Sequence, residues 1–260
     1  MIRVLVNGAG GRMGREAVAA ITAAEGMSLV AAVDPVHAGE DVGGGSAVAI
    51  SGDLASAITE SAPHVMVDFT RPDVVEAGLA VALAAGVHCV VGTTGLAEET
   101  LRRLSASAPD ICLFVAPNFA IGAVLMMRFA AEAARHLPHV EIIELHHDRK
   151  ADAPSGTALR TASLIAEARA LIPDAPGRET EIAEGARGAL VDDVTIHSVR
   201  LPGLVAHQEV IFGGTGETLT LRHDSLDRSC FMPGVVLAVR KTVERRGLVI
   251  GLEHYLEDVR

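Results

Sequence analysis

Short apolar segments alternate with helix-forming segments through the first half of this sequence. The apolar segments are rich in valine and isoleucine and occupy residues 2–7, 29–33, 64–68, 87–91 and 111–115. Helical spacing occurs between them, at residues 12–24, 72–85 and 98–105. Strands that alternate with helices form right-handed crossovers and a parallel sheet, whose strands are apolar throughout because both faces are buried. This half therefore predicts a doubly wound α/β domain.

The pattern changes after residue 116. Two helices are predicted at 122–137 and 156–170, with a strand at 139–145 between them. Three more strands follow, the last two joined by the glycine-rich turn 213–216: they occupy residues 194–199, 204–212 and 217–223. Strands joined by turns rather than by helices indicate an α+β domain with an open, largely antiparallel sheet.

Composition narrows the classes of partner. A formal net charge of −11 argues against nucleic acid, which normally requires a basic surface. The chain has no apolar run of about 18 residues and no secretory signal at its start, so we expect no membrane span and a cytoplasmic protein. The three cysteines are scattered, which favours reduced thiols over disulfides. Because the net charge is negative, an anionic ligand needs a local group of positive charges.

A glycine-rich loop follows the first predicted strand and opens a helix. It reads Gly8-Ala9-Gly10-Gly11-Arg12-Met13-Gly14. Glycines allow a tight turn and let backbone N–H groups approach a pyrophosphate, which the helix N-terminus also attracts. Met13 stands where the usual third glycine would be, and Gly14 comes one residue later. The loop predicts a Rossmann-type dinucleotide site; the alternative is a turn that only packs the helix on the strand.

Asp34 ends the second predicted strand, at the distance expected for a carboxylate that accepts the adenosine ribose hydroxyls. A carboxylate there repels a 2′-phosphate, so we expect NADH to work well. Arg12 could still meet a phosphate, so we expect NADPH to be tolerated. The alternative is that Asp34 only caps the strand end.

Three further loops follow predicted strands of the same sheet. Ligands bind at the carboxyl ends of parallel strands, so these loops predict a nicotinamide pocket. Its candidate residues are Phe69, then Gly92, Thr93 and Thr94, then Ala116, Pro117, Asn118 and Phe119. We accordingly assign residues 1–118 to a dinucleotide-binding domain, to which 229–260 would return through a helix and a short strand. Residues 119–228 are assigned to the second domain. Within it, we expect residues 171–189 to form a long excursion at the surface.

Residues 144–158 bear groups suited to proton transfer and anion binding. His146 ends a predicted strand, and imidazole exchanges a proton near neutral pH. Lys150 could orient a carboxylate or hold developing negative charge. After Pro154, a helix start at Ser155, Gly156 and Thr157 would expose unpaired backbone N–H groups, which form an anion site.

Three simpler interpretations compete with that reading. Adjacent histidines on a continuing strand point to opposite faces, so His147 joins His146 only if the strand ends there. A metal site lacks a third ligand at a useful spacing, and Lys150 would repel a cation, so we expect no metal. The helix start could be only a cap.

The segment from His146 to Ala158 resembles the signature of the dihydrodipicolinate reductase family. The resemblance extends over the chain, through the Gly8–Gly14 loop and the segments 67–70, 91–95, 116–119 and 198–200, and 201–240 looks most like the actinobacterial branch. It implies hydride transfer from NADH or NADPH to an unsaturated cyclic dicarboxylate. It also implies a homotetramer, so 119–228 would be the substrate-binding and tetramerisation domain.

The same resemblance implies a role for each site residue. His146 would be the general acid and Lys150 a second proton donor. His147 would hold the substrate carboxylates together with the helix start, Ser155, Gly156 and Thr157. Two alternatives stay open: another two-domain NAD(P)-dependent dehydrogenase of amino-acid metabolism, and a non-catalytic dinucleotide sensor. A sensor would have no use for the general-acid candidates.

Overall fold

The structure is a computed structural model that describes residues 1–43, 46–169 and 180–256. The chain divides into two compact units. Unit 1 comprises Met1–Ile121 and Arg228–Arg260, and unit 2 comprises Gly122–Asp227.

Unit 1 is built on a parallel sheet. Its strands, within the described residues, are β1 Ile2–Asn7, β2 Met27–Val33, β3 Ile50–Ser51, β4 Val65–Asp68, β5 His88–Val91, β6 Cys112–Val115 and β12 Gly247–Ile250. They lie in the order β12-β6-β5-β4-β1-β2-β3, and every pair is parallel. The order reverses beside β1, which is the ligand-binding position of a doubly wound sheet.

The helices of unit 1 connect these strands and cover the sheet. They are α1 Arg12–Ala23, α2 Leu54–Ser61, α3 Val75–Ala84, α4 Glu98–Ser107, α7 Met232–Thr242, α8 Glu253–Leu256 and the 3₁₀ helix Arg228–Phe231. The apolar face of α1 buries Ala17, Val18 and Ile21 at helical spacing. All four residues of β4 are buried, as expected of a strand covered on both faces.

In its described residues, unit 2 combines two helices with a mixed sheet. Its elements are α5 Ile121–Ala134, β7 His139–His146, α6 Gly156–Ala168, β8 Ala189–Val191, β9 Val194–Arg200, β10 Ala206–Gly214 and β11 Glu217–Ser225. The strand order is β11-β10-β7-β9-β8, and only the β7–β9 pair is parallel. Met126 and Ala130 of α5, with Ile165 of α6, pack on Ile142 and Phe212 to form the core on one face.

The predicted fold class, a doubly wound parallel sheet plus an α+β domain with a largely antiparallel sheet, is confirmed. Some elements were not predicted: β3, α2, β8 and α8 are short or lack a clear apolar period. The helix predicted at 156–170 ends at Ala168. Of the expected surface excursion 171–189, residues 171–179 lie outside the described residues. In the part of the chain described, no helix is long and apolar enough to cross a membrane.

Candidate active site

The glycine-rich loop of unit 1 connects β1 to α1. Gly8 has φ +83°, and the N–H groups of Gly8 and Ala9 donate to the Val33 carbonyl at 2.8 and 3.0 Å. A Cβ on Gly14 would lie 2.0 Å from the Gly8 carbonyl oxygen. Gly14 is therefore the glycine that allows helix and loop to approach, although it stands one residue beyond the usual position. The loop leaves α1 starting at Arg12, with its N-terminus beside the strand ends.

Asp34 follows β2 and its carboxylate is bound from within the unit. It accepts hydrogen bonds from the N–H groups of Gly10 at 3.1 Å and Val36 at 3.0 Å. Nδ1 of His37, which the sequence analysis did not single out, lies 3.2 Å from Asp34 Oδ1. Burial on its own raises the pKa of Asp34, but the His37 imidazole and the two N–H groups outweigh it and keep the pKa below its usual value. The carboxylate is thus held as an anion beside the glycine loop.

Asp68 joins the ends of three neighbouring strands. Its buried carboxylate accepts hydrogen bonds from Asn7 Nδ2, Thr70 Oγ1 and Thr93 Oγ1, each at 2.8 Å. Thr93 was predicted to line the cofactor pocket, but its contact with Asp68 was not predicted from the sequence. Because its hydroxyl is engaged, the Thr93 side chain fixes the loop after β5.

Aromatic rings close the same edge of the sheet. Phe69 and Phe119 meet edge to face with centroids 5.9 Å apart. A Cβ on Gly92 would lie 2.1 Å from the Phe69 ring, so the ring can occupy this place only because residue 92 has no side chain. A cavity of about 230 Å³ opens beside Thr94 and Pro117. The structure therefore brings the loops after β4, β5 and β6 together within unit 1.

In unit 2, β7 ends at His146, so His147 is free of the strand's alternation. Glu144, two residues earlier on the same face, is wholly buried, with 0% of its surface exposed. Its Oε2 lies 2.5 Å from His146 Nδ1. Arg200, which pairs with His146 across β7 and β9, donates to both oxygens of Glu144, at 2.8 and 2.7 Å. Neither this carboxylate nor its guanidinium partner was predicted from the sequence.

The start of α6 differs from its expected form. The Ser155 N–H was expected to be unpaired, but it donates to Glu144 Oε1 at 3.1 Å. The Ser155 hydroxyl accepts from the Ala158 N–H at 3.2 Å as the helix cap. This part of the prediction is wrong, because a buried carboxylate already occupies the donor. Gly156 and Thr157 form the first turn.

Lys150 lies in the loop between these elements. Its Nζ donates to both carboxylate oxygens of Asp152 at 2.8 Å, and its N–H donates to the His147 carbonyl at 3.1 Å. The loop therefore carries an ammonium group that is close in sequence to both histidines and in backbone contact with His147.

Burial lowers the pKa of His146 below its usual value, and the positive charges of Lys150 and Arg200 act in the same direction, whereas Glu144 opposes them. The His146 side chain is 15% exposed, so the ring is partly open to a ligand. Among the described residues, no group of three or more His, Cys, Asp or Glu side chains is arranged to hold a metal ion.

A doubly wound sheet with a glycine loop after its first strand defines the dinucleotide-binding α/β proteins. Family models divide this chain into the same two parts: residues 2–119 match "Dihydrodipicolinate reductase, N-terminus" and residues 122–256 match "Dihydrodipicolinate reductase, C-terminus". The chain belongs to the dihydrodipicolinate reductase family, which confirms the resemblance in its sequence. It is an oxidoreductase, and its family implies a nicotinamide dinucleotide cofactor.

Individual relatives agree over nearly the full length. The 4-hydroxy-tetrahydrodipicolinate reductase of Desulfitobacterium hafniense (strain DSM 10664 / DCB-2) is 53% identical, with 98% of this chain and 99% of the relative covered. That of Mycolicibacterium gilvum is 51% identical, with the same coverage. The structure of dipicolinate-bound dihydrodipicolinate reductase from Paenisporosarcina sp. TG-14 has a TM-score of 0.88 and 45% identity, covering 98% of this chain and 99% of that one. An amine dehydrogenase from Mycobacterium smegmatis, at a TM-score of 0.67 and 15% identity with 95% and 94% covered, shares the fold.

Proposed function

We propose that this chain reduces 4-hydroxy-tetrahydrodipicolinate to tetrahydrodipicolinate with a hydride from NADH or NADPH, in lysine and diaminopimelate biosynthesis. Relatives with this reductase name match nearly the whole chain. The observation that carries the proposal is the cluster in unit 2, where His146, Lys150 and the start of α6 come together. An imidazole, an ammonium group and a helix N-terminus suit a dianion that must also receive a proton.

The cofactor supplies the hydride when it is bound, and unit 1 supplies the residues that would hold it. The loop Gly8, Ala9, Gly10, Gly11, Arg12 and Met13 would bind the pyrophosphate, because it lacks side chains at its glycines and precedes the α1 N-terminus. The Asp34 anion would accept the ribose hydroxyls and disfavour a 2′-phosphate, so NADH is the better cofactor and NADPH is tolerated. Phe69, Gly92, Thr93, Thr94, Ala116, Pro117, Asn118 and Phe119 would surround the nicotinamide.

The substrate residues lie in unit 2. His146 donates the proton to the ring, Lys150 assists as a second donor, and His147 holds carboxylates with Gly156 and Thr157. Ser155 serves this site by capping α6, because its N–H and hydroxyl are both used internally. A bound dianion would raise the pKa of His146 from its lowered value, since it adds negative charge beside the ring.

One sheet face of unit 2 supports a homotetramer. The face opposite α5 and α6 carries Ile143, Leu145 and Ile211, which alternate along their strands with core residues and are only partly buried. These apolar side chains lie opposite Glu209, His207 and Glu141 on the same face. The apolar part of such a face is stabilised when a second copy covers it. Sedimentation of the purified protein tests this assembly.

A coupled assay tests the proposed activity. Aspartate semialdehyde and pyruvate are condensed in the assay, the product is offered with NADH or NADPH, and cofactor oxidation is followed by absorbance. We expect oxidation that depends on both condensation partners and is inhibited by dipicolinate, the ligand bound in the Paenisporosarcina protein. Tight NADH binding without oxidation would identify a sensor. Oxidation with a different oxo or imino acid only would identify another dehydrogenase.

A further inference from the structure

Glu144 lies at the centre of the unit 2 cluster and has no part in the function proposed above. Its carboxylate is wholly buried, and a buried charge is rare unless it is paired. It meets four groups from three segments: the His146 imidazole, the Arg200 guanidinium, the Ser198 side chain and the Ser155 N–H. These contacts bring a strand end, the neighbouring strand β9 and the start of α6 to one carboxylate.

We propose that Glu144 is a positioning residue: it fixes the orientation and tautomer of His146, so that Nε2 exchanges the proton, and it holds the imidazole and the start of α6 on one carboxylate. The identification of His146 as proton donor rests on the proposed function. The orientation of the ring by Glu144 is a separate claim, which can be measured without turnover.

The contact at Nδ1 determines the tautomer. An ionised carboxylate only accepts hydrogen bonds, and Glu144 Oε2 lies 2.5 Å from His146 Nδ1. Nδ1 therefore keeps its hydrogen in both the neutral and the charged ring, and only Nε2 gains or loses a proton. When His146 acts as an acid, the Nε2 proton goes to the substrate and the neutral Nδ1–H tautomer remains. A carboxylate that sets the tautomer of a functional histidine through its other nitrogen is a recurrent arrangement.

Arg200 keeps that carboxylate ionised. Burial alone raises the pKa of Glu144, but hydrogen bonds from Arg200 and two further side chains outweigh it and bring the pKa below its usual value. Arg200 also donates to the Asp152 carbonyl at 2.7 Å, which ties the Lys150 loop to the same pair. A two-pronged guanidinium contact is geometrically more restrictive than a single ammonium contact.

Three charged groups face His146 from the elements around it. Glu144 is on its own strand, Arg200 is on β9 and Lys150 is in the following loop. Ala206 opposes it from β10, and the first turn of α6 carries no acidic residue. Glu144 is thus the negative charge that favours the imidazolium, and its removal leaves two positive groups that disfavour it.

Glu144→Gln tests the proposal because the amide keeps the size and removes the charge. We expect the pKa of His146, followed by NMR of the labelled imidazole, to fall by about one unit or more, since the partner that favours the charged ring is lost. The alkaline limb of kcat/KM should move down in pH by the same amount. At pH 8, kcat/KM should fall about 10-fold or more. A His146 pKa equal to that of the unmodified protein would overturn the proposal.

Glu141→Gln is the matched control. Glu141 is on the same strand, three residues earlier and on the opposite face, where it meets His197 Nε2 at 2.8 Å and Arg187 at 2.5 Å. The substitution removes a carboxylate from a similar pair of histidine and arginine side chains. We expect it to leave the His146 pKa unchanged. An equal fall in both variants would attribute the effect to general charge and contradict a positioning role.

Glu144→Asp is the second variant, in case the amide prevents folding. This substitution keeps the negative charge and moves it back by one methylene. The His146 pKa should therefore stay nearer to its value in the unmodified protein than it does in Glu144→Gln, while kcat falls. In a His146→Gln background, Glu144→Asp should cost little further turnover, because Glu144 acts through His146. Additive losses would indicate a structural role only. If the unmodified protein lacks reductase activity, the proposed function fails, and the NMR titration still decides on Glu144.

Discussion

Lys150 and Asp152 form a two-pronged ion pair, with Nζ 2.8 Å from each carboxylate oxygen. The lysine side chain is 21% exposed and the aspartate side chain 63% exposed. A ligand carboxylate that binds Lys150 therefore competes with a carboxylate of the chain itself for two of the three N–H donors of the ammonium group. Because Asp152 is largely in water, it is a weak competitor and not a permanent partner.

Asp152→Asn weakens the competition between residue 152 and a ligand carboxylate for Lys150. An exposed pair contributes up to about 1 kcal/mol, so we expect dipicolinate to bind about 2–5-fold more tightly to the variant. Isothermal titration measures the change. Asp148→Asn, in the same exposed loop, is the control and should leave the affinity unchanged. Weaker binding to Asp152→Asn would show instead that Asp152 holds Lys150 in its binding position.

His146→Gln tests the proton donor. Loss of a general acid lowers turnover by about 10²–10⁴-fold, and we expect kcat to fall by that amount in the coupled assay. The affinity for NADH, measured by fluorescence titration, should stay within about twofold, since the cofactor residues lie in unit 1. A variant that keeps its turnover would remove His146 from the mechanism.

Gly14→Ala tests the packing of the glycine loop. The added methyl would lie 2.0 Å from the Gly8 carbonyl oxygen, which belongs to the backbone and cannot rotate away. We expect a loss of about 1–3 kcal/mol in the free energy of unfolding, as for other overpacked sites. Chemical denaturation measures it.

Gly11→Ala is the comparison within the same loop. Its added methyl would lie 3.3 Å from the same oxygen, and Gly11 has φ −71°, which alanine adopts readily. The loss of stability should therefore be clearly smaller than for Gly14→Ala. An equal loss of stability in the two variants would mean that both positions need the conformational freedom of glycine, and that the close approach of Gly14 to the Gly8 carbonyl oxygen is not the cause.

Much of this molecule could be predicted from local pattern. Continuous apolar runs predicted β1, β2, β4, β5 and β6 of unit 1. The charged loop that follows His146 indicated that the strand ends there. Gly14 could be recognised despite its shifted spacing, because a glycine after the loop is needed for helix packing.

The Glu144–Arg200 pair could not be predicted, because 56 residues separate its members and only the register of β7 against β9 brings them together. One signal is present in the sequence: Glu144 lies two residues from Ile142, so strand alternation places its charge on the same buried face, where it needs a partner. His37 escaped notice for a similar reason. Its contact with Asp34 arises from the turn after β2, which has no apolar period.

Asp34→Asn tests the basis of cofactor choice. The carboxylate accepts from the Gly10 and Val36 N–H groups, and an amide keeps one acceptor oxygen while it removes the charge that would repel a 2′-phosphate. Hydrogen bonds to a charged group contribute about 1.5–3 kcal/mol, so NADH affinity should fall about 10-fold or more. NADPH affinity should fall less or rise. Fluorescence titration with both cofactors gives the ratio. Asp53→Asn, which alters only the cap of α2, should leave the ratio of NADH to NADPH affinity unchanged. An unchanged ratio in Asp34→Asn would reduce Asp34 to a residue that caps the strand end.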